Sequence, residues 1–331
     1  MKQPLNVAVI GYGFGGRVFH APPIARTEGL RLAAIVSQRK AEIAKDHPGV
    51  AVFSSPDAVF DDPTIDLVAI STPNQAHFDL AARALAHGKH VVVDKPFTVT
   101  SGQARELARR AEAAGRILAV FHNFRWYADY LALKRMIVDG TLGEIVSFES
   151  HFDRYVPQVP DAWRERQGPG SGTWWDLGPH LLDQALQLFG RPRALCADMA
   201  IQRDGGGATD YFHVLLRYDR LRVVLTSCFV APADDLRFIV HGTRASLIKH
   251  GIDCRNGKDP RPGTLVMADG STKPAPAGRA DDRAFYVAVR DAIAGLAPNP
   301  VPPEEAIAVM EMLELAEQSA AERREVEIGT P

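Results

Sequence analysis

Cysteine is scarce, with three residues in 331 (Cys196, Cys228 and Cys254) at wide and irregular spacing. An odd number so placed excludes a disulfide framework and a paired zinc knuckle, and it fits a reducing compartment. Long apolar runs are also missing, and no stretch approaches the roughly 20 residues that cross a bilayer. The opening Met1-Lys2-Gln3-Pro4 passes at once into an apolar run, which leaves no room for a secretory signal, so the expected location is the cytoplasm. Charge of one sign is not in excess: 38 basic and 40 acidic residues give a net charge of -2, so neither nucleic acid nor an anionic membrane is an expected partner. Internal repeats and low-complexity tracts are absent. What remains, 46% hydrophobic and 24% charged residues, describes a soluble globular chain, and 331 residues exceed one ordinary core and imply two domains.

The first half alternates short apolar runs with helical patterns. Leu5 to Ile10 is a run of the kind buried in a parallel sheet, and Gly11-Tyr12-Gly13-Phe14-Gly15-Gly16 follows it directly. Gly11, Gly13 and Gly16 satisfy G-x-G-x-x-G, a weak signal alone and a strong one between a strand and a helix. There it supplies a tight turn, a backbone that can approach a pyrophosphate, and free N–H groups to bind it. Pro22-Pro23 are expected to interrupt the helix after His20, and His20 itself reads as a packing residue. Further strands are predicted at Leu30 to Val36, Val50 to Phe53, Leu67 to Ser71, His90 to Asp94 and Ile117 to Phe121. Helices are predicted at Lys40 to Asp46, near Asp57, at Asn74 to His87 and at Ser101 to Ala114. This rhythm predicts an α/β fold with a doubly wound parallel sheet over residues 1–122. Two junctions at the sheet's carboxyl edge are polar, Ser71-Thr72-Pro73-Asn74-Gln75-Ala76-His77 and Asp94-Lys95-Pro96. A cofactor contact and an ordinary Asn cap are equally good readings of the first.

The second strand runs into Ser37-Gln38-Arg39-Lys40, with no acidic side chain before Glu42. A fold that selects NAD places a carboxylate there to accept the ribose hydroxyls, and that carboxylate repels a 2'-phosphate. Ser37 is small enough to admit the phosphate, and Arg39 can fork onto it. The bland alternative makes Arg39 and Lys40 the solvated first turn of a helix, where cations oppose the dipole unless an anion is present. The expected cofactor is therefore NADP in preference to NAD.

From residue 123 the pattern changes. His122-Asn123-Phe124-Arg125-Trp126-Tyr127 reads as a domain junction or a cleft wall, followed by a helix at Ala128 to Val138. Runs with partial period-2 alternation then occur at Glu144 to Phe152, Arg193 to Ile201, Tyr211 to Tyr218, Arg222 to Phe229, Leu236 to Val240 and Ala245 to Lys249. They predict an α+β domain over residues 123–331 around a large, open, mainly antiparallel sheet. Tyr218-Asp219-Arg220 is read as a hairpin turn, and Asp204 to Thr209 and Asn256 to Gly278 as loops. Helices at Asp282 to Gly295 and Pro303 to Arg324 close the chain, the last of them able to pack on the first domain. Tyr211 to Phe229 is rich in Phe, Leu and Val with few helices to cover it, so the open face is expected to bury itself in a homodimer or homotetramer.

The densest chemistry lies in Gly170 to Gln184. A helix starting near Trp174 puts Pro179 in its first turn and projects Asp176, His180 and Asp183 from one face at successive turns. A carboxylate and an imidazole so placed can share one substrate hydroxyl. The bland reading, with Asp176 favouring the helix start and His180 and the tryptophans as core, has even weight on this stretch alone.

Together, G-x-G-x-x-G, Asp94-Lys95-Pro96 and the run from Gly170 to Asp183, which carries D-x-G-x-H-x-x-D, resemble the glucose-fructose oxidoreductase and inositol dehydrogenase (Gfo/Idh/MocA) family over nearly the whole chain. Asp94 stands where that family usually has Glu, and Ser171 where it has glycine. Within the family the likeness is greatest to NADP-using scyllo-inositol dehydrogenases, through Phe19 to Pro22, Asn123 to Trp126, Asp153 to Tyr155, Trp163 to Glu165 and Gly172 to Gln184. The resemblance implies a polyol or cyclic sugar substrate and a cis Lys95-Pro96 peptide. It implies cofactor contacts from Gly11, Gly13, Phe14, Gly15, Gly16, Ser37, Arg39, Ser71, Thr72, Pro73, Asn74, His77, Asp94, Lys95, Pro96, Asn123 and Arg125, and substrate contacts from Arg154, Trp163, Asp176 and His180.

Residue chemistry and resemblance then agree on hydride transfer between a nicotinamide and a carbinol carbon. His180 is the general acid/base, Asp176 holds the hydroxyl or the imidazole, and Lys95 stabilises the alkoxide. No metal is required. The alternatives are a reductase or dehydrogenase of a flat aromatic substrate, biliverdin-reductase-like or dihydrodiol-dehydrogenase-like, cradled by Trp126, Trp163, Trp174 and Trp175; a non-catalytic dinucleotide-binding regulator; and a protein in which the motifs survive only as packing.

Overall fold

The structure is a computed structural model that describes residues 3–233, 235–252 and 262–329. Cys254 and the start of the loop expected from Asn256 lie outside the described residues. The chain forms two compact units, Met1–His122 with Asp282–Met310, and Asn123–Asp281 with Glu311–Pro331. Among the described residues no helix is long and apolar enough to cross a membrane.

The first unit holds a parallel sheet of six strands. In chain order its elements are β1 (Leu5–Ile10), α1 (Ala21–Arg26), β2 (Leu30–Val36), α2 (Lys40–Asp46), β3 (Ala51–Phe53), α3 (Asp57–Phe60), β4 (Leu67–Ile70), α4 (His77–Ala86), β5 (His90–Val93), α5 (Ser101–Ala114) and β6 (Leu118–Val120). The strand order is β3-β2-β1-β4-β5-β6. Leu67–Ile70 and Leu118–Val120 are buried throughout, which accounts for their unbroken apolar runs. The order reverses between β1 and β4, the place where open α/β sheets leave a ligand crevice beyond their carboxyl ends. One expectation fails here. Gly16–His20 form a π-turn closed by the Ala21 N–H on the Gly16 carbonyl, and α1 continues from it. Pro22 and Pro23 fall in the first turn of α1, where no N–H is needed, so the helix changes type and does not end.

In the second unit α6 (Ala128–Val138) leads into β7 (Ile145–His151) and then α7 (Gly172–Phe189). The strands β8 (Ala194–Ala200), β9 (Tyr211–Arg217), β10 (Arg222–Cys228), β11 (Leu236–Gly242), β12 (Ala245–His250), β13 (Thr264–Met267) and β14 (Thr272–Pro274) follow. After α8 (Ala284–Ile293) in the first unit, α9 (Pro303–Glu322) runs through the boundary between the units, and β15 (Val326–Glu327) returns to the second sheet. That sheet has nine strands in the order β14-β13-β12-β11-β7-β10-β9-β8-β15, antiparallel except for the β7/β10 pair. β13 and β14 lie in the stretch expected to be loop, since Gly and Pro outweigh the short Thr264–Met267 run when read by composition. Phe212, Val214, Leu216, Val223 and Leu225 are fully buried on the face that α7 covers. The open face is more mixed than expected: Val224 lies opposite Leu215 and Thr226 opposite His213.

Candidate active site

In the first unit the glycine turn has three distinct roles. Gly11 has φ +100°, and a Cβ there would meet the Ser71 carbonyl at 2.2 Å; a Cβ on Gly16 would meet the Gly11 carbonyl at 2.0 Å. Only Gly opens both positions. A Cβ on Gly13 would meet nothing within 4 Å, so this is where a bulky ligand can approach the backbone. Phe14, at 74% exposure, stands beside it and packs edge-on against Phe19. Across the switch point, Thr72 Oγ1 is buried with no hydrogen-bond partner among the described residues. Such an orphan group calls for a ligand or water, and with the open Gly13 backbone it makes the edge fit a dinucleotide.

Asp94 organises the end of β5. Its carboxylate accepts from Ser71 Oγ at 3.0 Å and from the Lys95 N–H at 2.8 Å, and it faces His20 Nε2 at 3.3 Å. Burial opposes its charge, but the hydrogen bond and charge of His20, then Lys95 and His77, hold the carboxyl well below the usual range. His20 Nδ1 lies 2.5 Å from the Tyr286 hydroxyl, and burial keeps that phenol protonated. The ring is thereby held between the phenol on one nitrogen and the Asp94 carboxylate on the other. His20 is therefore more than packing, although it is fully buried and its ring also lies 4.2 Å from Phe121. The Lys95-Pro96 peptide is cis.

His77 was expected to face the cofactor. It is fully buried, with Nδ1 2.9 Å from the Pro96 carbonyl and Nε2 3.0 Å from the Thr72 carbonyl, so it ties the two loops together from within. Burial pushes its ionisation below the ordinary imidazole range against the pull of Asp94. Pro73 is exposed and occupies the N-cap position of a short 3-10 turn, of which the buried Asn74 is the first residue. At the end of β2, Ser37 Oγ accepts from the Arg39 N–H at 3.2 Å. The Arg39 guanidinium is half exposed, 3.5 Å from Glu42, which also lies 3.4 Å from Arg17.

In the second unit α7 starts at Gly172, two residues earlier than expected, with Ser171 at the N-cap position and no side-chain cap bond from it. Pro179 consequently sits in the helix interior, where it cannot donate to the Trp175 carbonyl. Asp176 is partly exposed and ion-paired to Arg164 Nε at 3.5 Å, and the Arg164 guanidinium covers Trp163 at 4.5 Å. His180 is 5% exposed and lies flat on Phe124, with ring centroids 3.8 Å apart and planes 13° apart. Asp183 is buried and engaged, receiving two Arg125 bonds at 2.8 and 2.5 Å. The guanidinium of Arg125, expected as a cofactor contact, is 10% exposed and its charge is compensated by a buried carboxylate. Asn123 Nδ2 donates to the Tyr127 hydroxyl. Arg154 is exposed, with its guanidinium over the Phe152 and Phe229 rings. Trp174 and Trp175 are buried and donate to the Leu313 carbonyl and the Glu317 carboxylate, so they hold α9 and line no aromatic cradle.

Sequence reasoning missed His20 with Tyr286, and Phe124 with Gln184. A buried His among apolar neighbours was the one available signal for the first pair. The second depends on contacts between segments about 60 residues apart, which no local pattern carries.

Comparison with known proteins places these features in a lineage. Residues 5–122 match the family described as oxidoreductase family, NAD-binding Rossmann fold, and residues 134–328 match its C-terminal alpha/beta domain. The chain is 48% identical to the uncharacterized oxidoreductase YdgJ of Escherichia coli, over 98% of both chains. It is 33% identical to the scyllo-inositol 2-dehydrogenase (NADP(+)) IolW of Bacillus subtilis, over 97% of this chain and 95% of that one. Among solved structures, the YPO2259 putative oxidoreductase of Yersinia pestis superposes with a TM-score of 0.95 at 45% identity, covering 100% of this chain and 99% of that one. With both halves matched and a glycine turn that fits a nicotinamide dinucleotide, the chain belongs to the Gfo/Idh/MocA oxidoreductase family.

Proposed function

We propose that the protein is an NADP-dependent dehydrogenase that oxidises a secondary hydroxyl of a polyol, inositol or cyclic sugar, or reduces the corresponding ketone. The observation that carries this reading is the α7 register, which sets a partly exposed Asp176 one turn before His180, in a chain that also carries an oxidoreductase dinucleotide fold. A bound nicotinamide supplies or accepts the hydride. His180 takes the hydroxyl proton at a ring nitrogen and returns it in reduction, Asp176 orients the hydroxyl or the imidazole, and Lys95 Nζ stabilises the alkoxide charge. Arg154 and Trp163 are assigned to the substrate. The B. subtilis relative, named for scyllo-inositol and NADP, supports the substrate class and the cofactor. Ser37 with Arg39 and Arg17 offers a small hydroxyl and two cations for a 2'-phosphate, with Glu42 as their partner until it arrives.

The deciding experiment is a panel of polyols and sugars with both nicotinamide cofactors, followed by absorbance of the reduced form. A secondary alcohol turned over with higher kcat/KM for NADP, and a fall in that preference of about tenfold or more in Arg39→Ala, is the expected outcome. A tenfold change corresponds to about 1.4 kcal/mol. Turnover of aromatic diols alone would overturn the substrate class, and preference for NAD the cofactor.

We further propose that the open face of the nine-stranded sheet packs on a second copy of the chain. Its mix of Leu215, Val224, His213 and Thr226 resembles an ordinary protein interface in polarity. Light scattering at micromolar concentration tests this, and a monomer would remove it.

A further inference from the structure

Of the groups that touch His180, Phe124 covers a whole face of the imidazole, and it is held with unusual redundancy. Its ring is itself stacked on Tyr127 at 4.2 Å and lies 5.8 Å from Phe152. Its carbonyl accepts from Gln184 Nε2 at 3.2 Å. Gln184 Oε1 in turn accepts from Arg237 at 2.6 Å, and Arg237 also donates to Asp129, to Ser150 and to the His151 carbonyl. The next residue, Arg125, is clamped by both oxygens of Asp183. Gln184, Arg237, Asp129 and Asp183 are all at least 97% buried. Filling space behind a phenyl ring requires no charges there, and apolar side chains of similar volume would serve stability as well. Buried charged groups with every bond directed do something apolar filling cannot, since they fix a backbone turn in one place.

We propose that Phe124 is a positioning residue for His180: the buried Asp183–Arg125 and Arg237–Gln184 links lock the 123–126 turn so that the Phe124 ring fixes the plane of the imidazole. This rests on His180 as the acid/base group. An imidazole exchanges its proton in the ring plane, along the nitrogen lone pair, so the plane that Phe124 fixes is also the direction of transfer. A ring free to tilt would spend much of its time out of line, and a misplacement near 1 Å can cost up to about 10²-fold in rate.

The first test needs neither substrate nor cofactor. Protons held over an aromatic face resonate upfield, so the ring C–H signals of His180, identified by their loss in His180→Asn, should lie upfield of ordinary histidine positions. They should move to ordinary positions in Phe124→Leu and stay upfield in Phe124→Tyr. The second test uses NADP and the polyol of highest turnover. Phe124→Leu should lower kcat by about 10- to 100-fold with KM within about twofold, and Phe124→Tyr should recover most of the loss. If Phe124→Leu does not fold, Arg125→Lys keeps the charge opposite Asp183 but loses the fork, and should show the same two changes in smaller degree. Unshifted His180 signals in the wild type would refute the stack, and displaced signals with unchanged kcat would refute the positioning role. Near-normal turnover in His180→Ala would instead overturn the assignment of His180, a result separable from both.

Discussion

The carboxyl edge of the six-stranded sheet and the inward side of α7 are built from opposite materials. The edge is backbone and small side chains: Gly11, Gly13 and Gly16, an orphan Thr72 hydroxyl, a half-exposed Arg39. The α7 side is aromatic rings and compensated charges, with Phe124 flat on His180 and Arg125 forked onto Asp183. An edge that admits and releases a large anion gains from open space and from donors that cost little to expose. A side that must hold one imidazole in one plane gains from groups that cannot move without leaving a buried charge unpaired. Under the proposed function, the contrast makes affinity and orientation separately encoded, so that each should be open to damage while the other is spared.

The largest effects should come from the two proposed catalytic groups, His180 on the α7 side and Lys95 after β5 at the carboxyl edge. His180→Ala and Lys95→Ala are each expected to lower kcat by about 10² to 10⁴, while the fluorescence titration of NADPH stays close to wild type. Loss of cofactor binding in His180→Ala would break the separation between orientation and affinity.

A smaller and more diagnostic effect belongs to the glycine turn. In Gly13→Ala the new methyl meets no protein atom, so the melting temperature should hardly change while NADPH affinity falls about tenfold or more. Gly16→Ala drives a methyl into the Gly11 carbonyl, and should lose about 1–3 kcal/mol of stability as well as affinity. Equal melting temperatures for the two variants would show that the turn is looser than its contacts require.

An effect of similar size, set apart by its pH dependence, concerns Asp94. Its carboxyl is held below its ordinary range when folded, so the charge stabilises the fold above about pH 4, the unfolded value, and that contribution is lost as pH falls through the folded value. Asp94→Asn should therefore melt lower than wild type at pH 7, by about 1.5–3 kcal/mol for hydrogen bonds to a charged group. The gap should close progressively on acidification below pH 4. A gap independent of pH would assign the loss to shape and not to charge.

Much of this was legible in the sequence because it is local. The strand–glycine–helix passage at Gly11, the acid-free end of β2, and the i, i+4 spacing of Asp176 and His180 are each contained in a few consecutive residues. The start of α7 was misplaced because Pro179 reads as a first-turn residue, whereas the helix tolerates it in its interior. β13 escaped notice because four apolar-leaning residues amid Gly and Pro carry too little pattern. The partners of His20 and Arg125 were illegible for a different reason: each is chosen by packing between segments distant in the chain, and composition says nothing about which buried side chain meets which.

The division of the chain has a consequence for how the protein is made. The first unit is interrupted, since it needs Asp282–Met310 as well as its first 122 residues. Tyr286, the partner of His20 beside Asp94, lies 266 residues further along the chain, and Phe121 packs edge-on against Phe285. A ribosome must therefore release strands β7 to β14 of the second sheet before the dinucleotide fold can close over its last aromatic residues. Until then the amino-terminal segment waits with Phe121 uncovered, the kind of transient apolar exposure on which chaperones act.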